Sequence, residues 1–407
     1  MNMNESEASM ATVVPIPEAN EQPACWSGVF AMTLCVFALI ASEFMPVSLL
    51  TPMADDLHVT EGLAGQGITI SGAFAVLTSL SIPWLAGAVN RKTLLLALTG
   101  MMAVSGVVVA MAPDYQTYMV GRALIGVVIG GFWSLSAATA MRLVPASQVP
   151  KALAIFNGGN ALATVIAAPL GSYLGAVIGW RGAFFSLVPV AAIALVWLWA
   201  SLPVMEAGER TSGSANVFRL LRHRAVALGM AACAAFFMGQ FVLFTYLRPF
   251  LETVTMVDVS TLSLILFVMG AAGFIGTLMV GSFLRRGLFR TLATIPLLMA
   301  VIALALIPFG ASVVAIVMLL GFWGLVATAA PVGWWSWIAQ VLPSNAEAGG
   351  GLMVAVIQLA IALGSTVGGL LFDRHGYQST FVASAAVLLL AALLTYLTSG
   401  SKAPRGA

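Results

Sequence analysis

The sequence alternates long apolar runs with short polar connections. A helix that crosses a bilayer needs about 20 mostly apolar residues. Twelve stretches meet that length, at approximately 27–50, 64–86, 93–112, 118–141, 152–176, 182–201, 225–247, 261–283, 291–308, 313–341, 350–372 and 379–398. The pattern predicts an all-α membrane protein with 12 transmembrane helices. The longest connection, 202–224, is rich in Gly, Ser and charge and reads as a cytoplasmic linker. It separates an N-terminal six-helix bundle (25–201) from a C-terminal one (225–398). Residues 1–24 are polar, hold Pro15, Pro17 and Pro23, and contain no Lys or Arg. They lack the basic start of a secretory signal and read as a disordered cytoplasmic tail. Residues 399–407 read as a second cytoplasmic tail.

Composition agrees with the pattern. The chain is 60% hydrophobic and 8% charged, with a mean hydropathy of +1.02. Soluble domains carry about 25% charged residues, so no soluble domain of useful size is expected. A net charge of +2 gives no footing for a nucleic-acid partner. Lys and Arg set orientation. With the N-terminus inside, thirteen fall in inner loops and the inner tail, and only Arg181, Arg248 and Arg374 fall outside. Both termini are therefore expected in the cytoplasm.

Cys25, Cys35 and Cys233 are scattered through or beside apolar spans, and His58, His223 and His375 lie in or near loops. Neither set has metal-ligand spacing, so no metal or cofactor is expected. No Walker A run and no Ser/His/Asp constellation occurs. The chain does not read as an enzyme. If it moves a solute uphill, an ion gradient is the available energy source.

One acidic residue, Glu43, stands inside an apolar span, with about eight apolar residues on either side. A charge at the bilayer centre costs roughly 2.5–3.5 kcal/mol on insertion scales. A carboxyl escapes that cost by taking up a proton, which makes Glu43 a candidate proton carrier. The alternative is a structural carboxyl bonded to a neighbouring helix. Arg122, one turn into the fourth span, keeps its charge and must either snorkel outward or find a polar partner. Glu43 lies in the same outer half of the membrane, so the two are a candidate proton-coupling pair. Gly126 and Gly130 give the fourth span a smooth face for close packing, and Gly171, Gly175 and Gly179 do the same for the fifth.

Candidate substrate contacts are amides and aromatics. Asn157 and Asn160 lie one turn apart on the fifth span. Phe236, Gln240 and Phe244 share a face of the seventh. Trp334 and Trp335 could turn inward from the tenth, where Trp337 has an interfacial-belt alternative. Gln358 adds an amide in the eleventh. For the asparagines, bonding between helices is an equal reading. The set suits a neutral, flat, hydrogen-bonding solute better than a phosphate or dicarboxylate.

The two halves carry a faint repeat. Gly171, Gly179-Trp180 and Phe184 recur as Gly368, Gly376-Tyr377 and Phe381 at an offset of 197, and Val144-Pro145 as Leu342-Pro343 at 198. This pattern is that of parallel halves related about an axis along the membrane normal. Gly131-Phe132-Trp133 also reappears as Gly321-Phe322-Trp323, but at an offset of 190 that reads as chance.

Arg122-x-x-x-Gly126-x-x-x-Gly130, and Ala168-Pro169-Leu170-Gly171 in the glycine-rich fifth span, resemble motifs of the major facilitator superfamily, drug:proton antiporter type. The runs Glu43-Phe44-Met45-Pro46-Val47-Ser48, Gly130-Gly131-Phe132-Trp133, Pro331-Val332-Gly333-Trp334 and Val356-Ile357-Gln358-Leu359 are similar to its bacterial purine ribonucleoside exporters, from about Trp26 to Leu397. The resemblance implies a major facilitator fold and proton-coupled antiport that exports inosine- and guanosine-like nucleosides by alternating access, from a monomer in contact with membrane lipid. It links Arg122 to proton handling. The chain departs from the family's G-x-x-x-D-R-x-G-R-R/K pattern after the second helix, where Gly87 stands at the acidic position and Asn90 at the second glycine. Three alternatives remain: a drug or sugar exporter, a passive facilitator, or a membrane sensor that transports nothing.

Overall fold

The computed structural model describes residues 24–85, 89–145, 148–205, 217–342 and 346–400. The N-terminal tail through residue 23, Gly87, most of the linker and the last seven residues lie outside the described set. Every regular element among the described residues is helical. In chain order they are α1 (Trp26–Asp56), α2 (Glu61–Leu85), α3 (Arg91–Ala110), α4 (Tyr115–Arg142), α5 (Val149–Phe185) and α6 (Leu187–Ser201). After a short 3-10 turn at Val217–Arg222 come α7 (Arg224–Phe244), α8 (Leu247–Thr253), α9 (Val259–Arg286), α10 (Leu288–Ala305), α11 (Val313–Ala327), α12 (Ala330–Val341) and α13 (Ala346–Ser399).

Ten stretches among the described residues are long and apolar enough to cross a membrane, against the twelve expected. The difference comes from two stretches of 51 residues each, Lys151–Ser201 and Gly349–Ser399. At 1.5 Å per residue, 51 residues would run roughly 75 Å as one rod, more than twice the ~30 Å hydrocarbon core. The backbone breaks inside each, at Gly179 (φ 75°, ψ 163°) and Gly376 (φ 76°, ψ −179°). Only glycine adopts that conformation readily. Nothing lies within 4 Å of where a Cβ would stand at either, so backbone angle rather than crowding demands glycine there.

These two breaks are the pair that the sequence repeat aligned. Just beyond each sits the same edge-to-face aromatic contact, Trp180–Phe184 at 6.3 Å and Tyr377–Phe381 at 5.7 Å. A second strained pair recurs at an offset of 198, that of Val144 and Leu342: His58 (φ 54°) and Met256 (φ 57°) are the described non-glycine residues with positive φ. The 190-residue match is coincidental in three dimensions too, since Phe132 is buried and Phe322 is 55% exposed.

Two features differ from the sequence reading. The seventh span does not end at 247. It continues through α8 to Thr253, so Arg248 belongs to a helix and is buried rather than lying in an outer loop. The same extension brings in Glu252, so Glu43 is not the sole acid within an apolar span. Trp337 is no interfacial anchor. It is fully buried and packs edge-to-face on Trp334 at 5.9 Å, while Trp335 is the exposed one.

Packing follows the glycines. A Cβ at Gly126 or Gly130 would collide with the backbone of α2 at Ser71 and Ala75, and one at Gly171 or Gly175 with Ser48 and Leu49 of α1. Such close approach is how helices associate where lipid removes the hydrophobic drive. The apolar interior gathers into one large cluster built almost wholly from residues after Val226 and a second built from Val29–Met205. The two regions meet where α2 packs on α13 and α5 on α9.

Candidate functional site

Glu43 lies on α1 with only 3% of its surface exposed. Its Oε1 accepts a hydrogen bond from Gln358 Nε2 of α13 at 3.1 Å. The next residue, Phe44, stacks on Phe241 of α7 at 5.7 Å. This short stretch of α1 therefore touches the C-terminal region by one polar and one aromatic contact.

Arg122, 1% exposed, comes in from α4 behind that stretch. It makes no ion pair with the Glu43 carboxylate within 4.0 Å. Its Nη1 donates to the Ser42 carbonyl at 2.8 Å, and its Nη2 to the Glu43 carbonyl at 3.2 Å and to Ser71 Oγ at 3.3 Å. Its Nε donates to the Gly67 carbonyl at 3.1 Å. Four of the five guanidinium N–H donors are engaged. Arg122 neither snorkels nor swings freely. It is a fixed cation tying α4 to α1 and α2, and its field falls on the neighbouring carboxyl. Sequence reasoning missed Ser42, Gly67 and Ser71 because three of the four acceptors are backbone carbonyls and the fourth is a small hydroxyl, none of which carries a composition signal.

Gln358 is thus committed to Glu43 rather than free. Gln240 is half-buried and its Oε1 has no hydrogen-bond partner among the described residues. Phe244, one turn on, packs on Phe241 at 5.7 Å. Phe236 is buried against Phe237 at 5.2 Å. Asn157 is exposed, its Nδ2 donating to the Leu153 carbonyl of its own helix at 2.9 Å, so it makes no bridge between helices there. Asn160 is half-buried one turn on. Trp334 is buried in the apolar core, its Nε1 without a partner among the described residues.

Polar contacts between residues before 205 and residues after 217 cluster toward one end of the bundle. Beyond Glu43–Gln358 they include Thr69 Oγ1 with Thr366 Oγ1 at 2.9 Å and the Ala362 carbonyl at 3.2 Å, and Thr60 Oγ1 donating to Asp373 Oδ2 at 2.6 Å. Toward the other end of their helices, a Cβ at Gly158 or Gly351 would meet nothing within 4 Å. Among the described residues no group of three or more His, Cys, Asp or Glu could hold a metal ion.

Comparison with known proteins places this geometry. The chain is 66% identical over 392 residues to the "Transcription regulatory protein OpdE" of Pseudomonas aeruginosa, covering 96% of this chain and 98% of that one. It is 41% identical over 394 residues to the "Purine ribonucleoside efflux pump NepI" of Salmonella enteritidis, covering 97% of each. Its fold matches the crystal structure of a bacterial homologue of the human lysosomal transporter Spinster, described as inward-facing and occupied. The TM-score is 0.77 at 14% identity, covering 95% of this chain and all of that one. The family model of the Major Facilitator Superfamily matches residues 32–364. A bundle of bilayer-length helices, a sequence match over most of its length and relatives that align end to end agree, and the chain belongs to the Major Facilitator Superfamily.

Proposed function

We propose that this protein is a proton-coupled antiporter that exports purine ribonucleosides of the inosine and guanosine type. One observation carries the proposal: the buried Glu43 carboxyl is bonded to Gln358 of the opposite region while Arg122 is anchored directly behind it. Proton uptake there acts on a contact that bridges the two parts of the chain. The 41% identity to a protein named as a purine ribonucleoside efflux pump supports the substrate class.

In this reading the chain crosses the bacterial inner membrane twelve times, each 51-residue stretch counting as two crossings hinged at Gly179 or Gly376. Two six-helix bundles alternate around a central cavity, both termini are cytoplasmic, and the protein works as a lipid-embedded monomer. The bonds at Thr60, Thr69 and Asp373 then close the outer face, and the cavity opens inward past Gly158 and Gly351. Asn157, Asn160 and the free Gln240 oxygen offer hydrogen bonds to a base edge or ribose, and Phe244 and Trp335 supply flat apolar surface, while Phe236 and Trp334 are buried in the core in this state. Coupling requires that proton and nucleoside each bias the two states differently. An ionised Glu43 accepts strongly from Gln358. A protonated one presents one hydroxyl and a weaker acceptor, which loosens the contact.

The test is counterflow of radiolabelled inosine in proteoliposomes, with and without a pH gradient. Exchange stimulated by ΔpH is expected. Exchange indifferent to ΔpH leaves a facilitator, and competition by sugars or lipophilic drugs but not inosine moves the substrate. A second reading has one observation in its favour: the 66% identical relative is named a transcription regulatory protein. A membrane regulator that moves no solute would show no counterflow with any of these.

A further inference from the structure

The aspartate that ends the first arm of α13 reaches across to the start of α2. Asp373 Oδ1 accepts from the backbone N–H of Gly62 at 3.0 Å, and Oδ2 from Thr60 Oγ1 at 2.6 Å. Gly62 lies in the first turn of α2, where backbone N–H groups have no partner within the helix and the helix dipole favours an anion. Thr60 Oγ1 in turn accepts from Leu63 N at 3.1 Å. The N-terminus of α2 is therefore capped by a residue more than 300 positions away in the chain. The approach is close: a Cβ at Gly369 would lie 3.0 Å from Gly62 Cα, and one at Gly62 would collide with the Asp373 carboxylate.

A second crossing lies deeper on the same side. Arg248, 6% exposed, donates from Nη1 to the Ser48 carbonyl of α1 and from Nε to Glu252 at 2.8 Å, one turn on in α8. Glu252 holds the guanidinium in place. Its other carboxylate oxygen is buried without a partner among the described residues.

We propose that Asp373 and Arg248 form the outer gate: two charged side chains of the C-terminal region, each bonded to backbone of the N-terminal region, hold this end shut. The inference rests on the alternating-access reading above. Both locks use one charged partner against peptide dipoles rather than an ion pair across the seam. A seam ion pair would be stronger and harder to reopen. A charge against backbone N–H or C=O releases into water on the outer side at modest cost, because each charge regains hydration as the gate opens.

The test reads the gate without needing a substrate. Ala362→Cys places a thiol in the α2–α13 seam beneath the gate, against Gly72 of α2, without removing a cross-seam bond; the native Cys35 and Cys233 are buried and Cys25 lies at the opposite end of α1. In right-side-out vesicles a membrane-impermeant maleimide should label this thiol slowly. Adding Asp373→Ala or Arg248→Gln should raise the labelling rate about tenfold, the effect of losing one charge-assisted bonding pair. An unchanged rate with both substitutions overturns the proposal. If Arg248→Gln fails to yield monodisperse protein, Asp373→Ala and the milder Asp373→Asn decide it alone. Inosine counterflow on the unsubstituted chain runs in parallel. Faster labelling without counterflow keeps the gate and removes the nucleoside reading; counterflow with unchanged labelling does the reverse.

Discussion

Gln358 and Glu43 are 315 residues apart in the chain, and the amide of one donates to the carboxylate of the other at 3.1 Å inside the bundle. That bond makes Glu43 a link between two regions as well as a buried acid. Glu43→Gln keeps the shape and an acceptor oxygen but cannot carry a proton. In proteoliposomes the variant is expected to lose inosine accumulation driven by ΔpH while retaining exchange at equal pH. Uphill accumulation by the variant would remove Glu43 from the coupling step.

The same pair should be energetically coupled. Gln358→Leu leaves the carboxyl without its donor, and an unsatisfied buried group costs roughly 1–3 kcal/mol. Removing both partners, as Glu43→Leu with Gln358→Leu, should cost less than the sum of the single changes. A double-mutant cycle on thermal unfolding in detergent measures this. Strict additivity would mean that the contact carries no energy.

Arg122 is a test of shape as much as of charge. Lysine preserves the cation but cannot span the Gly67, Ser42 and Glu43 carbonyls and Ser71 at once. Arg122→Lys is expected to lower stability by on the order of 3 kcal/mol and to stop coupled transport. A variant of unchanged melting temperature would contradict the anchored arrangement.

Glycine positions separate packing from open space. Gly130→Ala drives a methyl into the Ala75 backbone of α2 and should destabilise by about 1–3 kcal/mol. Gly158→Ala meets nothing within 4 Å and should be neutral or slightly stabilising, since alanine favours helix by up to about 1 kcal/mol. Thermal shift assays on the pair give the contrast directly.

Acid sensitivity should begin at two helix starts outside the membrane spans. The Asp114 and Asp258 carboxylates accept from the backbone N–H of Thr117 at 2.8 Å and Thr261 at 3.1 Å. These bonds hold both below the usual aspartate range. A carboxylate with a depressed folded pKa stabilises the fold above its unfolded pKa, near 3.9, and that contribution disappears as pH falls through the folded value. The melting temperature should therefore decline below about pH 4, and Asp114→Asn with Asp258→Asn should flatten the decline. A slope unchanged by the double variant would place the acid sensitivity elsewhere.

Much of this was legible in the sequence. The apolar runs mark every membrane stretch, because burial in lipid leaves so few ways to satisfy a backbone. The 197-residue repeat singled out Gly179 and Gly376, which prove to share one unusual backbone conformation. The helical position of Arg248 is hard to read because the apolar run stops at 247, while the helix goes on through α8, whose first turn tolerates Pro249. The Arg122 acceptors were illegible because backbone carbonyls have no letter. Asp373 could have been found. Gly369-x-x-x-Asp373-Arg374-x-Gly376 has the spacing sought after the second helix, where Gly87 stood instead.

The lopsided placement of the cross-region bonds has a pharmacological consequence. In the proposed orientation, with both termini in the cytoplasm, an inhibitor arriving from the medium would meet a sealed wall, while a metabolite made inside would meet an open door. A blocker built to mimic cargo must first permeate the envelope, whereas one that wedges between Thr60 and Asp373 could act without ever entering the cell.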